Sequence, residues 1–151
     1  YAAELIERWD PRNRVIRFGE GERSGGVYEE RAWLTGGILI PALRAHVLRT
    51  KSRPAAKIVK QLERRLLSLV LDGGGGLPVR YFVLKGGIRG QVRLRDVPEN
   101  YMLLEGLPAR ELVRCLRRRQ VMAALDSVPN IHDPDLATHF SIAGRCWWVL
   151  R

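Results

Sequence analysis

Residues able to support nucleophilic catalysis are few in this 151-residue chain, which contains two cysteines and three histidines. A cysteine nucleophile needs a base positioned beside it to form the thiolate. Cys146 is followed by two tryptophans near the end of the chain, and His46, His132 and His139 all precede it. No nucleophile, base and orienting group can be assembled from this pattern, so we expect a protein that is not an enzyme.

Metal ligands and phosphate-binding loops are also poorly represented. Histidines and aspartates cluster in segment 132–139, but their spacing matches no familiar metal site, and helix-capping aspartates explain them. The segment GEGERS at 19–24 lacks the third glycine of a dinucleotide-binding motif and carries two acids. DGGGG at 72–76 could form a nest of backbone N–H groups, although a helix end explains it equally well. We therefore expect no metal and no cofactor.

The two cysteines, Cys115 and Cys146, are too few for a disulfide framework and form no CxxC pair. This usage fits an intracellular, reducing compartment. We find no signal peptide, and the start at Tyr1 rather than Met suggests a trimmed piece of a longer protein.

Arginine provides the strongest chemical signal. The chain has 26 Lys plus Arg against 16 Asp plus Glu, a formal charge of +10, and 22 of the basic residues are arginine. The planar guanidinium grips phosphate with two hydrogen bonds and stacks on bases, which lysine cannot do. A GC-rich genome is the alternative source of this bias. So large a charge nevertheless favours a polyanionic partner.

Composition limits the remaining classes. Hydrophobic residues make up 46% and charged residues 28%, as in an ordinary globular domain. No apolar run approaches the roughly 18 residues of a membrane helix, so we expect no membrane span. We expect a single basic domain over 1–151, with the glycines at 73–76 as a flexible joint.

Local patterns predict the elements that must position the basic residues. In the N-terminal part we expect a short helix, a strand, a glycine-rich loop and two helical segments, the second opened by Pro41: 2–9, 13–18, 19–26, 28–34 and 38–48.

The clearest helix runs from about Pro54 to Leu71, capped by Ser52 or Arg53 and ended by the glycines that follow. Apolar residues recur at helical spacing and define one buried face: Ile58, Val59, Leu62, Leu66, Leu69 and Val70. Basic residues form a stripe on another face: Lys57, Lys60 and Arg64.

The segment 78–96 predicts a β-hairpin, because two β-rich runs flank Gly86 and Gly87. Taking those glycines as the loop places Arg80 opposite Arg93 and Phe82 opposite Gln91. One face would then carry arginines around an aromatic ring, a platform able to stack a base and hold phosphates: Arg80, Phe82, Arg89, Arg93 and Arg95.

The last third is predicted to be helical, beginning at Pro108, with a basic side made by Arg110, Arg114 and Arg117. The final segment, 133–151, resembles the helix-turn-helix pattern of DNA-binding proteins, with a small residue in its first helix and apolar residues about the turn. Its turn carries Ser141 where glycine is usual, and its second helix is apolar.

These patterns predict an α+β fold: a small antiparallel sheet built on the 78–96 hairpin, packed against several helices, with a helical C-terminal third. We expect non-catalytic binding of nucleic acid, RNA favoured over DNA, as in a ribonucleoprotein component or a viral replication or RNA-sequestering protein. One alternative is a DNA-binding module that uses 133–151. Another is an assembly subunit whose arginines and tryptophans bind acidic protein partners: Trp9, Trp33, Trp147 and Trp148.

Overall fold

The fold is α+β, as predicted. The structure, a computed structural model, describes residues 1–18, 22–23, 25–71, 77–94, 98–108 and 110–111. A four-stranded antiparallel sheet packs beside helices, and its strands are, in order across the sheet, β3 (Glu22–Arg23), β4 (Val27–Arg31), β5 (Leu77–Leu84) and β6 (Gly87–Leu94). A two-stranded sheet of β1 (Trp9–Asp10) and β2 (Val15–Ile16) lies near the N-terminus. The predicted joint at 73–76 and the predicted helices beyond residue 111 lie outside the described residues.

The N-terminal elements are a short helix and a tight hairpin. Helix α1 spans Ala2–Glu7, and strands β1 (Trp9–Asp10) and β2 (Val15–Ile16) pair antiparallel across a four-residue turn. The predicted helix and strand are confirmed in outline, although both are shorter than the sequence pattern suggested.

The prediction of a helix over 28–34 is wrong for its first four residues and holds only for Ala32–Leu34. Strand β4 (Val27–Arg31) occupies most of that range and pairs with the two-residue strand β3 (Glu22–Arg23), which lies inside the predicted loop 19–26. Glutamate, arginine and alanine favour helix locally, but pairing with β5 overrides that preference. The buried side chain of Tyr28 anchors this strand in the core.

Helix continues from Ala32 to Thr50 through a π-helical turn. Helix α2 (Ala32–Leu34) leads into π-helical residues Thr35–Leu39 and then into α3 (Ile40–Thr50), with right-handed helical backbone at both junctions. Pro41 therefore lies within a helical run rather than opening an independent helix. Proline cannot donate to the carbonyl four residues earlier, and the wider turn just before it accommodates that loss.

Two glycines allow the 3-10 helix Pro98–Gly106 to lie directly against the π-helical turn. A β-carbon at Gly36 would collide with the carbonyl oxygen of Leu103, and one at Gly106 would lie 2.5 Å from the Cα of Gly36. Backbone packs on backbone here, which only glycine permits.

Helix α4 (Arg53–Leu71) is the longest described element and agrees with the sequence prediction. The Ser52 hydroxyl accepts a hydrogen bond from the Ala55 N–H at 3.3 Å, so Ser52 is the N-cap. All six apolar residues expected on its inner face are buried. Arg65 is buried among them, which the pattern did not indicate.

Strands β5 (Leu77–Leu84) and β6 (Gly87–Leu94) form the predicted hairpin, but its register differs from the prediction. The turn residues are Lys85 and Gly86, with φ of 49° and 81°, and Leu84 pairs with Gly87. Positive φ at both central residues is the signature of a type I′ turn. Two register irregularities along the ladder then place Phe82 opposite Gly90 and Arg80 opposite Val92.

The core lies between α4, the continuous helix and the inner face of the sheet. Its largest fully buried side chains include Tyr81, Leu43, Leu62 and Leu66. Within the described residues, no helix is long and apolar enough to cross a membrane.

Candidate nucleic-acid interface

A stripe of basic side chains follows the exposed face of α4. Arg53, Lys57, Lys60 and Arg64 are all exposed, and Ser68 continues the same face one turn further. Their spacing of four, three, four and four residues keeps them on one side of the helix. From Arg53 to Arg64 the stripe extends about 16 Å along the axis at 1.5 Å per residue. We call these five residues the α4 stripe.

Glu63, the only acidic residue of α4, is directed away from the α4 stripe. It accepts hydrogen bonds from the Nε and Nη2 of Arg44 at 2.9 and 2.7 Å. The same guanidinium donates to the backbone carbonyls of Glu105 and Gly106, which ties α3, α4 and the 3-10 helix together. Within the described part of the chain, no carboxylate forms an ion pair with the stripe cations. Their charge is therefore available to a ligand.

The stripe ends at a basic cleft where α4 meets two turns. The cleft has a volume of about 380 Å³ and lies between the C-terminal half of α4, the β1-β2 turn and the hairpin turn. Its lining combines arginines with uncharged polar groups and the turn itself, and we call it the arginine cleft: Arg14, Gln61, Arg64, Arg65, Ser68, Gly86 and Ile88. Arg64 belongs both to the cleft and to the α4 stripe, so the two surfaces are continuous.

Asp10 positions the turn that carries Arg14. The buried carboxylate accepts bonds from the backbone N–H groups of Arg12 and Asn13 at 2.9 and 3.2 Å, and from the Asn13 side chain at 2.8 Å. Together with the Nε of Arg17 at 3.1 Å, these donors hold the pKa of Asp10 well below its ordinary value, the Asn13 side chain contributing most. Arg14 follows with φ of 55°, a left-handed conformation stabilised by this turn.

Arg65 joins the cleft to the core. Its Nη1 donates to Glu30 at 2.8 Å and its Nη2 donates to the backbone carbonyl of Arg14. The Arg65 side chain is 5% exposed, so its charge is neutralised internally rather than offered to solvent. Beside this pair, Tyr81 and Thr35 share a hydrogen bond of 3.1 Å. Burial, and then the charge of Glu30, raise the pKa of the Tyr81 hydroxyl well above its ordinary value.

The outer face of the sheet carries part of the predicted platform. Phe82 is half-buried and lies over Gly90, where a β-carbon would sit 3.9 Å from the ring. Arg80 and Arg89 are exposed. Arg80 lies opposite Arg31 of β4, and its Nη1 is 3.5 Å from Glu29, so an acid shares this face. An aromatic ring beside arginines is present, but the face is not uniformly basic.

The prediction that Arg93 lies opposite Arg80 on the platform is wrong. Arg93 pairs with Pro78, and its Nη1 donates to the carbonyl of Leu69 at 2.6 Å and to Gln91 at 3.0 Å. An arginine that donates to the last turn of a helix satisfies a carbonyl and offsets the negative end of the helix dipole. Arg93 therefore holds β6 against the C-terminal end of α4.

The other predicted contact residues are distributed as follows. Arg110 is exposed at the end of the described chain. Arg95, Arg114 and Arg117 lie outside the described residues, as does the segment 133–151. Among the tryptophans, Trp9 and Trp33 are half-buried, with Trp9 packed against the core.

Two arginines of the cleft, Arg14 and Arg65, were not predicted from the sequence. Arg14 lies in a short turn without periodicity, and Arg65 occupies an apolar position of α4. Asp10 followed by Pro11, Arg12 and Asn13 is the only local signal, since Asp followed by Pro favours a turn.

Comparison with protein-family models, with curated proteins and with solved structures finds no match for this chain.

Proposed function

We propose that this protein binds nucleic acid, RNA in preference to DNA, without catalysing a reaction. The observation that carries the proposal is the α4 stripe, whose four cations are exposed and are not paired with acids of the described chain. Such a row of cations binds the phosphates of a polyanion and releases its counterions, largely independently of base sequence.

The length of the α4 stripe suits contact with the phosphate backbone of a nucleic acid. Four cations spread over about 16 Å of helix can contact several successive phosphates of a nucleic-acid strand. A small anionic ligand would contact only one or two of them. The whole-chain charge of +10 adds a long-range field that favours approach of the same partner.

The preference for RNA rests on the outer sheet face. Single-stranded RNA offers unstacked bases, and an aromatic side chain on a sheet beside arginines is a common place for them to stack. Phe82, with Arg80 and Arg89 exposed nearby, supplies that arrangement. A ribonucleoprotein component or an RNA-sequestering protein of a virus would use such a surface.

The stacking claim is tested by Phe82→Leu, which keeps an apolar side chain over Gly90 but removes the ring. We expect single-stranded RNA affinity to fall by roughly tenfold, in line with about 1–3 kcal/mol per stacked base. Duplex RNA and duplex DNA affinity should change little, because paired bases cannot reach the ring. Fluorescence anisotropy with labelled oligonucleotides measures all three.

Equal loss for single strands and duplexes would contradict stacking and leave only phosphate binding. Stronger binding of duplex DNA than of either RNA would instead favour the DNA-binding alternative. Absence of binding to any nucleic acid at low salt would reject the proposal and favour an acidic protein partner.

A further inference from the structure

We propose that the arginine cleft is a pocket for a terminal phosphate, the phosphomonoester at a 5′ or 3′ end of the bound nucleic acid. The inference rests on the proposed function and deepens it, because it assigns one feature of the ligand to one site.

Two guanidinium groups of the cleft are available to an anion. Arg14 and Arg64 are exposed, and in the described chain neither forms an ion pair with a carboxylate. Arg65, beneath them, is already paired with Glu30. The three arginines of the lining, less the charge of the Glu30 that is paired with Arg65, leave the cleft with a net positive charge of about two. The guanidinium groups of Arg14 and Arg64 can each form two hydrogen bonds to phosphate oxygens.

The uncharged groups of the cleft also suit an anion. The Ser68 hydroxyl is exposed at its wall and can donate a hydrogen bond. Gln61 also lines the cleft, and its side-chain amide carries an NH₂ group that can donate to an anion. Among the described residues that line the cleft there is no carboxylate.

Hydrogen bonds hold the backbone around the cleft in place. The Asp10 turn fixes Arg14, and the Arg14 carbonyl accepts a hydrogen bond from Arg65. The Arg14 side chain also lies against the hairpin turn, where a β-carbon at Gly86 would approach its Cδ to 2.9 Å. Preorganised donors lose little entropy when a ligand binds.

Charge and shape favour a phosphomonoester over a bridging phosphodiester. A monoester carries a charge of about −1.5 to −2 near pH 7 and three terminal oxygens, which matches two guanidinium groups on one concave site. A phosphodiester carries a single charge and must continue past the cleft at both ends. Because Arg64 also belongs to the α4 stripe, a strand whose end enters the cleft can run along α4.

The test compares one RNA sequence with a 5′-phosphate, a 3′-phosphate or hydroxyls at both ends. For the wild type we expect at least one phosphorylated form to bind roughly tenfold more tightly than the hydroxyl form, equivalent to about 1.4 kcal/mol. Arg14→Gln should abolish that difference. Arg12→Gln, an exposed arginine of the same turn that does not line the cleft, should preserve it.

Equal affinity of the wild type for all three RNAs would overturn the inference. A phosphate preference that survives in Arg14→Gln would also overturn it, since the terminal phosphate would then bind elsewhere. Either result leaves the proposed function intact, because the hydroxyl-ended RNA still binds.

A melting-temperature measurement with inorganic phosphate tests the cleft even if the protein binds no RNA. If no RNA binds, phosphate should still raise the melting temperature of the wild type above that in chloride of equal ionic strength. The increase should disappear in Arg14→Gln and remain in Arg12→Gln. No increase in the wild type would reject the cleft as a phosphate site.

Discussion

Asp10 is the residue on which the geometry of the cleft depends. Its carboxylate collects the donors of the following turn, and that turn sets both the backbone of Arg14 and the carbonyl that Arg65 contacts. Since the bonds favour the ionised carboxylate, the folded-state pKa of Asp10 lies below its value in the unfolded chain. The ionised Asp10 carboxylate therefore stabilises the folded protein fully at pH values above its unfolded-state pKa of about 3.9. This stabilisation is lost as the pH falls from there toward the lower pKa of the folded state.

We therefore expect Asp10→Asn to lower the free energy of unfolding by about 1.5–3 kcal/mol at pH 7, as for hydrogen bonds to a charged group. The difference in the free energy of unfolding between wild type and variant should become smaller below pH 4, because acid protonates the Asp10 carboxylate and the variant has no such group to protonate. Urea unfolding at pH 7, 5 and 3 measures this. A gap that stays constant or widens on acidification would contradict the assignment.

The hairpin turn shows how element geometry depends on individual backbone angles. Lys85 adopts φ of 49°, a conformation that costs free energy for most residues but is tolerated by asparagine. Asn-Gly is the preferred pair for a type I′ turn. Lys85→Asn should therefore stabilise the protein by roughly 0.5–1 kcal/mol and raise its melting temperature by a few degrees. Lys85→Gln removes the same charge without this preference, so it should give no gain. Equal melting temperatures for the two variants would argue against the turn as described.

Sequence patterns predicted the elements whose stability is local. The 3.6-residue period predicted α4, and Ser52 was one of the two residues expected to cap it. The same period placed Lys57, Lys60 and Arg64 together on one exposed face, because an amphipathic helix determines its faces within one segment. Strand β4 was mistaken for helix because pairing with β5, distant in sequence, determines its conformation. The register of the hairpin was missed because the turn uses Lys85 and the ladder contains two irregularities, neither of which has a side-chain signature. The cleft was missed because it forms only where three separated segments meet.

At the scale of the whole molecule, the net charge and the positions of the charged side chains lead to different predictions. The formal charge of +10 predicts attraction to polyanions but not a binding face. The structure distributes that charge unevenly: Arg44, Arg65 and Arg93 are bonded within the fold, whereas the α4 stripe faces solvent. If the stripe is the binding face, removing charge from it should weaken binding more than removing the same charge elsewhere.

The most direct measurement is the salt dependence of single-stranded RNA affinity for two double variants with equal charge loss. Lys57→Gln with Lys60→Gln alters the stripe, and Arg8→Gln with Arg12→Gln alters exposed cations of the N-terminal segment. Each phosphate contact contributes about 0.7 to the slope of log affinity against log salt for single strands. We expect the stripe variant to reduce that slope by about 1.4 and the N-terminal variant to leave it nearly unchanged. Equal slopes for the two variants would contradict the assignment of α4 as the nucleic-acid interface.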